Sequence, residues 1–325
     1  MKDKRQIPTL RRVSGHARDG VIFTALFALA GWTGSWHRIA ELFAHFFLQY
    51  VLALVPLTAL LFLDRRGNWR WAALALLALL GCAIASFWLP VNAAPATAQA
   101  TRLRLLQFNA ALQTEGLARW LTGHHEEVDV ILVLEAAPDL EESTKALAAE
   151  FPYRLSQIDG SPFGIALMSR HPLHDPRVLD DDTPAFPALQ ADIVTRGGTL
   201  RLIGIHPPPP IDDDLARWRN HFMTTLATRL GEEREAERAT LVFGDFNSTV
   251  WSPHLRDFMT RTGLSDAQRG QGAVGTWPAF AARHSGLLGI PMDMMLISPG
   301  ITVTQRRIGP DLGSDHLPVL TEIVF

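Results

Sequence analysis

The sequence predicts an α/β domain carried behind three membrane-spanning helices, and three observations predict it. Between residues 20 and 90 run three successive apolar stretches free of Asp, Glu, Lys and Arg. From Arg102 onward the pattern changes to short apolar runs alternating with amphipathic segments. Charge divides at the same place. Residues 1–101 hold 10 Lys+Arg against 4 Asp+Glu, and residues 102–325 hold the remaining 20 against 29. A +6 segment therefore precedes a −9 segment, and the formal net charge of −3 is a cancellation. A hydrophobic content of 47% excludes a disordered chain, and the lone Cys82 excludes a disulfide framework.

The apolar stretches are Val21–Trp36, Leu42–Leu63 and Trp71–Leu89, of 16, 22 and 19 residues. A helix crosses the hydrocarbon core with roughly 17–25 apolar residues. The second and third meet that length, and Gly20 extends the first to its lower edge. The expected organisation is a basic N terminus over 1–19 and a membrane module over 20–90, with helices at about 20–36, 42–63 and 71–89. A linker over 91–101 and a globular domain over 102–325 follow. Lys2, Lys4, Arg5, Arg11, Arg12 and Arg18 precede the first span, and Arg65, Arg66 and Arg70 surround the loop after the second. Positive charge favours the cytoplasm. The expectation is a multi-pass inner-membrane protein with its N terminus cytoplasmic and residues from about 90 onward periplasmic. Ala98-Gln99-Ala100 has the small-residue form of a cleavage site, but two crossings precede it. His45 and Gln49, four residues apart, share a helical face and read as a helix–helix contact.

Seven strands are legible in the second part: Leu103–Phe108, Val130–Leu134, Ile165–Ser169, Leu200–Ile205, Leu241–Phe243, Met294–Ile297 and Val319–Val324. Leu215, Trp218, Phe222, Leu226 and Leu230 recur at three- and four-residue steps, which predicts a helix with one apolar stripe. Polar residues gather where the strands end. Asn109, Glu135 and His206 each follow an apolar run, Asp245 and Asn247 follow Leu-Val-Phe-Gly, and Asp293 and Asp315-His316 precede two others. In α/β sheets such ends are where sites gather. A single carboxylate at a strand end is usually a cap, so the weight lies in the convergence of several.

These blocks resemble the endonuclease/exonuclease/phosphatase superfamily, the DNase I-like metal-dependent phosphodiesterases. The resemblance rests on Leu-Arg-Leu-Leu-Gln-Phe-Asn (103–109), Asp-Val-Ile-Leu-Val-Leu-Glu (129–135), Phe-Gly-Ile-Ala-Leu-Met-Ser-Arg (163–170) and Ile-His-Pro-Pro-Pro (205–209). It continues through Gly-Asp-Phe-Asn-Ser (244–248), Gly-Thr-Trp-Pro (275–278), Pro-Met-Asp (291–293) and Gly-Ser-Asp-His-Leu-Pro (313–318). Leu134 stands where the family has Gln and Ile205 where it has Thr, and neither change removes a catalytic group. The resemblance implies a four-layer sandwich, two mixed β-sheets face to face with helices outside.

It also implies the site. Asn109 and Glu135 are hard oxygen ligands suited to Mg2+ or Mn2+, with Asp315 completing the metal environment. Asp245 orients or deprotonates the attacking water, and Asn247 hydrogen-bonds to a phosphate oxygen. Asp293 holds His316, and His206 is the second catalytic histidine; how the two share acid and base work stays open. Trp277 either stacks on a substrate base or packs in a turn. No Cys/His tetrad with zinc spacing exists, and Gly-Asp-Phe-Asn is no P-loop.

The expected partners are a phosphoester substrate (phospholipid, nucleotide or nucleic acid) and the lipid bilayer. Long nucleic acid is bound through clustered Lys and Arg, whereas the −9 domain has a single lysine, Lys145. A lipid or small phosphoester is therefore favoured over extracytoplasmic DNA or RNA. A non-enzymatic binding module on the same fold is the remaining reading, and the retained Glu135, Asp245, Asn247 and His316 weigh against it.

Overall fold

A computed structural model describes residues 6–64, 67–91, 100–179, 185–232 and 238–325. Most of the expected linker and most of the Ala98–Ala100 segment lie outside the described residues, as do Lys2, Lys4, Arg5, Arg65 and Arg66. The chain divides into two compact units, Met1–Leu89 with Trp251–Pro253, and Pro90–Val250 with His254–Phe325.

The first unit is helical: α1 (Gln6–Trp32), α2 (Arg38–Leu42), α3 (Phe47–Leu63) and α4 (Trp69–Ile84). A short 3-10 helix, Phe43–Phe46, joins α2 to α3, and another, Ala85–Phe87, extends α4. Among the described residues, two continuous helical stretches are long and apolar enough to cross a membrane, Arg38–Leu63 and Trp69–Phe87. This corrects the expectation of three. The helix containing the first apolar stretch stops at Trp32, and residues 33–36 turn. Its uncharged part is therefore only Gly20–Trp32, about 20 Å at 1.5 Å per residue, against a hydrocarbon core of about 30 Å. The turn depends on Gly34, where a Cβ would lie 2.6 Å from the Glu41 Cα. Gly31 and Gly20 let α1 run antiparallel along α3, their Cβ positions 2.8 Å from the Ala44 nitrogen and 3.0 Å from a Leu57 methyl.

The second unit contains two six-stranded mixed sheets. The first has the order β11-β12-β1-β2-β4-β3, where β1 is Arg102–Asn109, β2 Val130–Leu134, β3 Tyr153–Gln157, β4 Ile165–Ser169, β11 Thr302–Ile308 and β12 Val319–Val324. The second has the order β5-β6-β7-β8-β10-β9, where β5 is His174–Leu179, β6 Ala188–Thr195, β7 Gly198–Ile205, β8 Ala239–Asp245, β9 Ser265–Asp266 and β10 Asp293–Ile297. All seven expected strands are present. Each sheet has one parallel pair, β1–β2 and β7–β8. A parallel pair needs a crossover, and α5 (Glu115–His124) and α7 (Asp213–Glu232) supply it. The remaining helices, α6 (Leu140–Ser143), α8 (Pro253–Thr262) and α9 (Ala279–Ala282), are short.

Period-2 alternation sorts the strand residues into layers. On β2, Val130, Leu132 and Leu134 point into the core between the sheets, where they meet Leu189, Leu202 and Phe243 of the second sheet. Ile131 and Val133 point outward beneath Leu117 and Leu121 of α5. On the other side, Ile203, Ile205 and Val242 lie beneath Phe222 and Leu226 of α7 and Phe258 of α8. Helix, sheet, sheet and helix form the four layers the resemblance implied.

Asp129 fastens the start of β2 to β1. Its carboxylate accepts hydrogen bonds from the Arg104 backbone at 2.9 Å, from Nε at 3.0 Å and from Nη2 at 2.7 Å. Burial pushes the Asp129 carboxyl up, and the Arg104 bonds and charge outweigh it, so the group titrates below its ordinary 3.8. Its contribution is complete above that value and is lost as pH falls through the depressed one. Asp129→Ala is expected to cost about 2 kcal/mol at pH 7. Thermal unfolding of both proteins should show the gap narrowing in acid; a gap that widens there would contradict the assignment.

Candidate active site

The expected site residues converge on one end of the sandwich because of strand direction. Asn109 closes β1 and Glu135 follows β2, while His206 follows β7 and Asp245 closes β8, so all four sit at carboxyl ends of the two parallel pairs. Asp293 opens the antiparallel β10 directly opposite Asp245, and His316 precedes β12, which runs antiparallel to β1.

Local geometry sets each side chain. Glu135 and Asn247 both have φ of +46°, a left-handed conformation that costs a non-glycine residue about 1–3 kcal/mol. Asparagine tolerates it; glutamate is held there by its neighbours. The Ala136 nitrogen donates to the Gly164 carbonyl at 2.9 Å, and Leu112 donates to the Glu135 carbonyl at 2.9 Å. A Cβ at Gly164 would lie 2.5 Å from the Ala136 carbonyl, which explains the glycine of the Phe-Gly-Ile block. Gly244, at φ +146°, comes so close to β7 that a Cβ would lie 2.0 Å from the Ile205 carbonyl.

Asp245 is the hub. Its Oδ1 accepts the Asn247 backbone N–H at 2.8 Å, and its Oδ2 accepts Asn109 Nδ2 at 3.1 Å. The same Oδ2 stands 3.8 Å from His206 Nε2 and 3.7 Å from His316 Nε2. Asn109 Nδ2 also reaches Glu135 Oε1 at 2.9 Å, and Glu135 Oε1 lies 3.8 Å from His206 Nε2. Asn247 Nδ2 donates to the Pro207 carbonyl at 3.0 Å and passes His206 Nε2 at 3.4 Å. Asn109, Asp245, His206 and Asn247 are buried; the Glu135 side chain is 26% exposed and opens to solvent.

The second half is an Asp–His pair. His316 Nδ1 lies 2.8 Å from Asp293 Oδ2, which also accepts the Thr276 hydroxyl. Burial works against a charged ring, but the charge and hydrogen bond of Asp293, then Asp245 and Asp315, outweigh it and push the His316 pKa up to about 10. The Arg306 Nη2 donates to the Asp293 carbonyl at 2.7 Å and Nη1 to Thr321 at 3.0 Å, so a buried cation of the first sheet holds the backbone of the pair in the second. Gln107 reaches across beside it, its amide paired with the Met294 carbonyl and nitrogen at 3.1 and 3.2 Å. Ser314 ties the His316 turn to β1, donating to the Asn109 carbonyl at 2.7 Å while its oxygen accepts His316 N–H at 3.0 Å.

Asp315 is placed differently from the others. It is exposed, and its Oδ2 accepts the Trp277 indole N–H at 3.1 Å. Trp277 thus has a partner in the site wall, with its ring 6.5 Å from that of His316. On the far side Phe163 lies 5.6 Å from the His206 ring. The sequence reading passed over Thr276, Ser314, Gln107 and Arg306. The first three lie inside its motif blocks and could have been found there, whereas Arg306 sits in a polar edge strand without any signal.

Among the described residues, Asp245, Asp293 and His316 offer ligand atoms within 4.8 Å of one another, a spacing that suits a divalent metal. Asp293 Oδ1 and His206 Nδ1 are buried without a hydrogen-bond partner. Two carboxylates, Glu135 and Asp245, also converge on a single neutral amide nitrogen at 2.9 and 3.1 Å. Paired anions around a neutral group form a donor set that a hard cation fits.

No curated protein matches the chain. Among solved structures, an endonuclease/exonuclease/phosphatase from Beutenbergia cavernae DSM 12333 superposes with a TM-score of 0.55 at 18% identity, covering 68% of this chain and 71% of that one. D. rerio TDP2 complexed with single strand DNA product matches with a TM-score of 0.54 at 15% identity, over 69% of this chain and 99% of the other. Sphingomyelinase C from Streptomyces griseocarneus matches with a TM-score of 0.50 at 15% identity, over 68% and 99%. At such identities the likeness establishes the fold. Residues 106–316 match the Endonuclease/Exonuclease/phosphatase family, most of the second unit, and the chain belongs to that family of hydrolases acting on phosphoester bonds.

Proposed function

We propose that the protein is a membrane-anchored, Mg2+- or Mn2+-dependent phosphodiesterase acting outside the cytoplasm on a lipid or small phosphoester. The observation that carries the chemistry is Asp245 Oδ2, which faces both histidines and Asn109 within 3.8 Å. Such an oxygen can orient and deprotonate a water between the two rings. One Asp245 oxygen is fixed by the Asn247 backbone, so the other keeps its aim. His316 is charged at neutral pH with its Nδ1 proton committed to Asp293, which leaves Nε2–H for a phosphate oxygen. Asn247, anchored to the Pro207 carbonyl, presents its amide to a second oxygen, and His206 faces the leaving group from the opposite wall.

Glu135 and Asn109 hold the metal in this reading, with Asp245 facing them and Asp315 at the outer edge. In this reading His316 keeps its place at the phosphate, with Nδ1 committed to Asp293. The bound ion would act as a Lewis acid on the phosphoryl oxygens.

The anchor is the pair of apolar helices. Arg65, Arg66 and Arg70 surround the loop between them. Positive charge assigns that loop to the cytoplasm, which sends the chain beyond Phe87 outward.

The test uses the full chain with bis-p-nitrophenyl phosphate, phospholipid, plasmid DNA and RNA. EDTA is expected to abolish hydrolysis and Mg2+ or Mn2+ to restore it. Glu135→Gln is expected to lower the rate at fixed Mg2+ by about 10²–10³. Turnover in EDTA equal to that in Mg2+ would sink the metal assignment, and rapid cleavage of DNA would move the substrate to nucleic acid.

A further inference from the structure

The large apolar side chains exposed on the second unit include Val91, Tyr153, Val194 and Trp218, together with Leu112 at 40%, Ile211 at 71%, Phe280 at 67% and Leu288 at 50%. Scattered exposed apolar residues are ordinary on a protein surface. The last four, however, lie on loops and on the short α9 at the end of the sandwich where the site residues gather. Leu112 follows β1, and its nitrogen is bonded to the Glu135 carbonyl. Ile211 follows β7 in the segment that starts at His206 and is tied to Asn247 through Pro207. Phe280 lies in α9, where its neighbour Ala279 donates to the Asp315 carbonyl at 2.7 Å, and Leu288 lies in the loop leading from α9 to Asp293. Each apolar side chain is thus joined, by a short stretch of chain or by a backbone bond, to a residue of the site.

We propose that this apolar rim sinks into a zwitterionic bilayer, and that the substrate is a phospholipid whose phosphodiester is drawn from that bilayer into the site. The assignment rests on the phosphodiesterase reading and names its substrate class. Apolar side chains enter the boundary between headgroups and acyl chains to a depth of about 5–10 Å, the level at which lipid phosphates lie. The site needs that approach because Asp245, Asp293 and His316 are buried behind the rim. An acidic unit of −9 is repelled by anionic lipid, so burial of apolar surface rather than charge must bring it down.

The experiment reconstitutes the full chain in phosphatidylcholine vesicles and compares Ile211→Asp and Phe280→Asp with wild type. Hydrolysis of vesicle lipid and of soluble bis-p-nitrophenyl phosphate is measured for each. Lipid turnover should fall tenfold or more in both variants while soluble turnover stays within twofold. In a Cys82→Ser background, an environment-sensitive fluorophore on Ile211→Cys should blue-shift and be quenched by nitroxide lipids. The same label on Val194→Cys, in the hairpin strand at the opposite end, should not. Equal loss on both substrates, no loss on either, or equal quenching at both positions overturns the rim assignment. A wild-type chain that hydrolyses the soluble diester but no phospholipid overturns the lipid assignment alone. Hydrolysis of neither overturns the phosphodiesterase reading and the lipid assignment with it.

Discussion

Asp245→Asn is expected to leave the fold intact and lower kcat on bis-p-nitrophenyl phosphate by about 10²–10⁴. The substitution keeps the Asn247 bond to Oδ1, because an amide oxygen accepts it equally well, and it preserves volume in a side chain that is 1% exposed. What it removes is the negative oxygen facing both histidines and Asn109. A proton acceptor is lost while substrate-binding groups remain, so KM should move far less than kcat. Circular dichroism and thermal unfolding establish that the variant is folded. A rate within threefold of wild type at saturating Mg2+ would show that another group takes the proton.

Asp293→Asn should change the pH profile as well as the rate. In the wild-type protein burial lowers the His316 pKa, yet Asp293 leads the opposing charges and the value rises to about 10. A raised pKa means that the cation persists below about pH 10 and is lost as pH rises through it. With asparagine in place the main anion is gone while burial remains. With only Asp245 and Asp315 left to oppose burial, the cation should be lost at lower pH than in wild type, and the alkaline limb of kcat should move down. The stability that His316 protonation confers should fade over the same interval, between the unfolded 6.5 and about 10. Wild-type kcat profiles and Asp293→Asn profiles that coincide from pH 6 to 10 would remove the His316 cation from its role at the phosphate.

Much of the site was legible because its residues lie in blocks that a strand end makes conspicuous. Asn109 and Asp245 each follow an apolar run that is buried on both faces, and such runs can be read without knowing their partners. β3, β5 and β11 were not legible. They are sheet-edge or near-edge strands with polar residues such as Arg154, Asp175 and Gln305, and their apolar alternation is weak. β6 is buried over most of its length, but Gln190 and Asp192 interrupt its apolar pattern. The first helix shows the opposite failure. Its apolar run is plain, but the turn that shortens it depends on Gly34 meeting Glu41, a contact no local pattern records. Arg306 is similar: its partners Asp293 and Thr321 lie 13 and 15 residues away on other strands, and only the register places them together.

The bond from Ser314 to the Asn109 carbonyl joins residues 205 positions apart. Closing that loop requires β12 to be paired beside β1, and contacts so distant in sequence are slow to form. The helices and the whole of the first parallel pair are synthesised well before Ser314 and His316 exist. A nascent chain therefore passes through most of its synthesis without a complete site. The site is assembled only when the residues from Ser314 onward have added β12 beside β1. The order of the sequence sets the timing, with the N-terminal apolar helices made first and the site completed last.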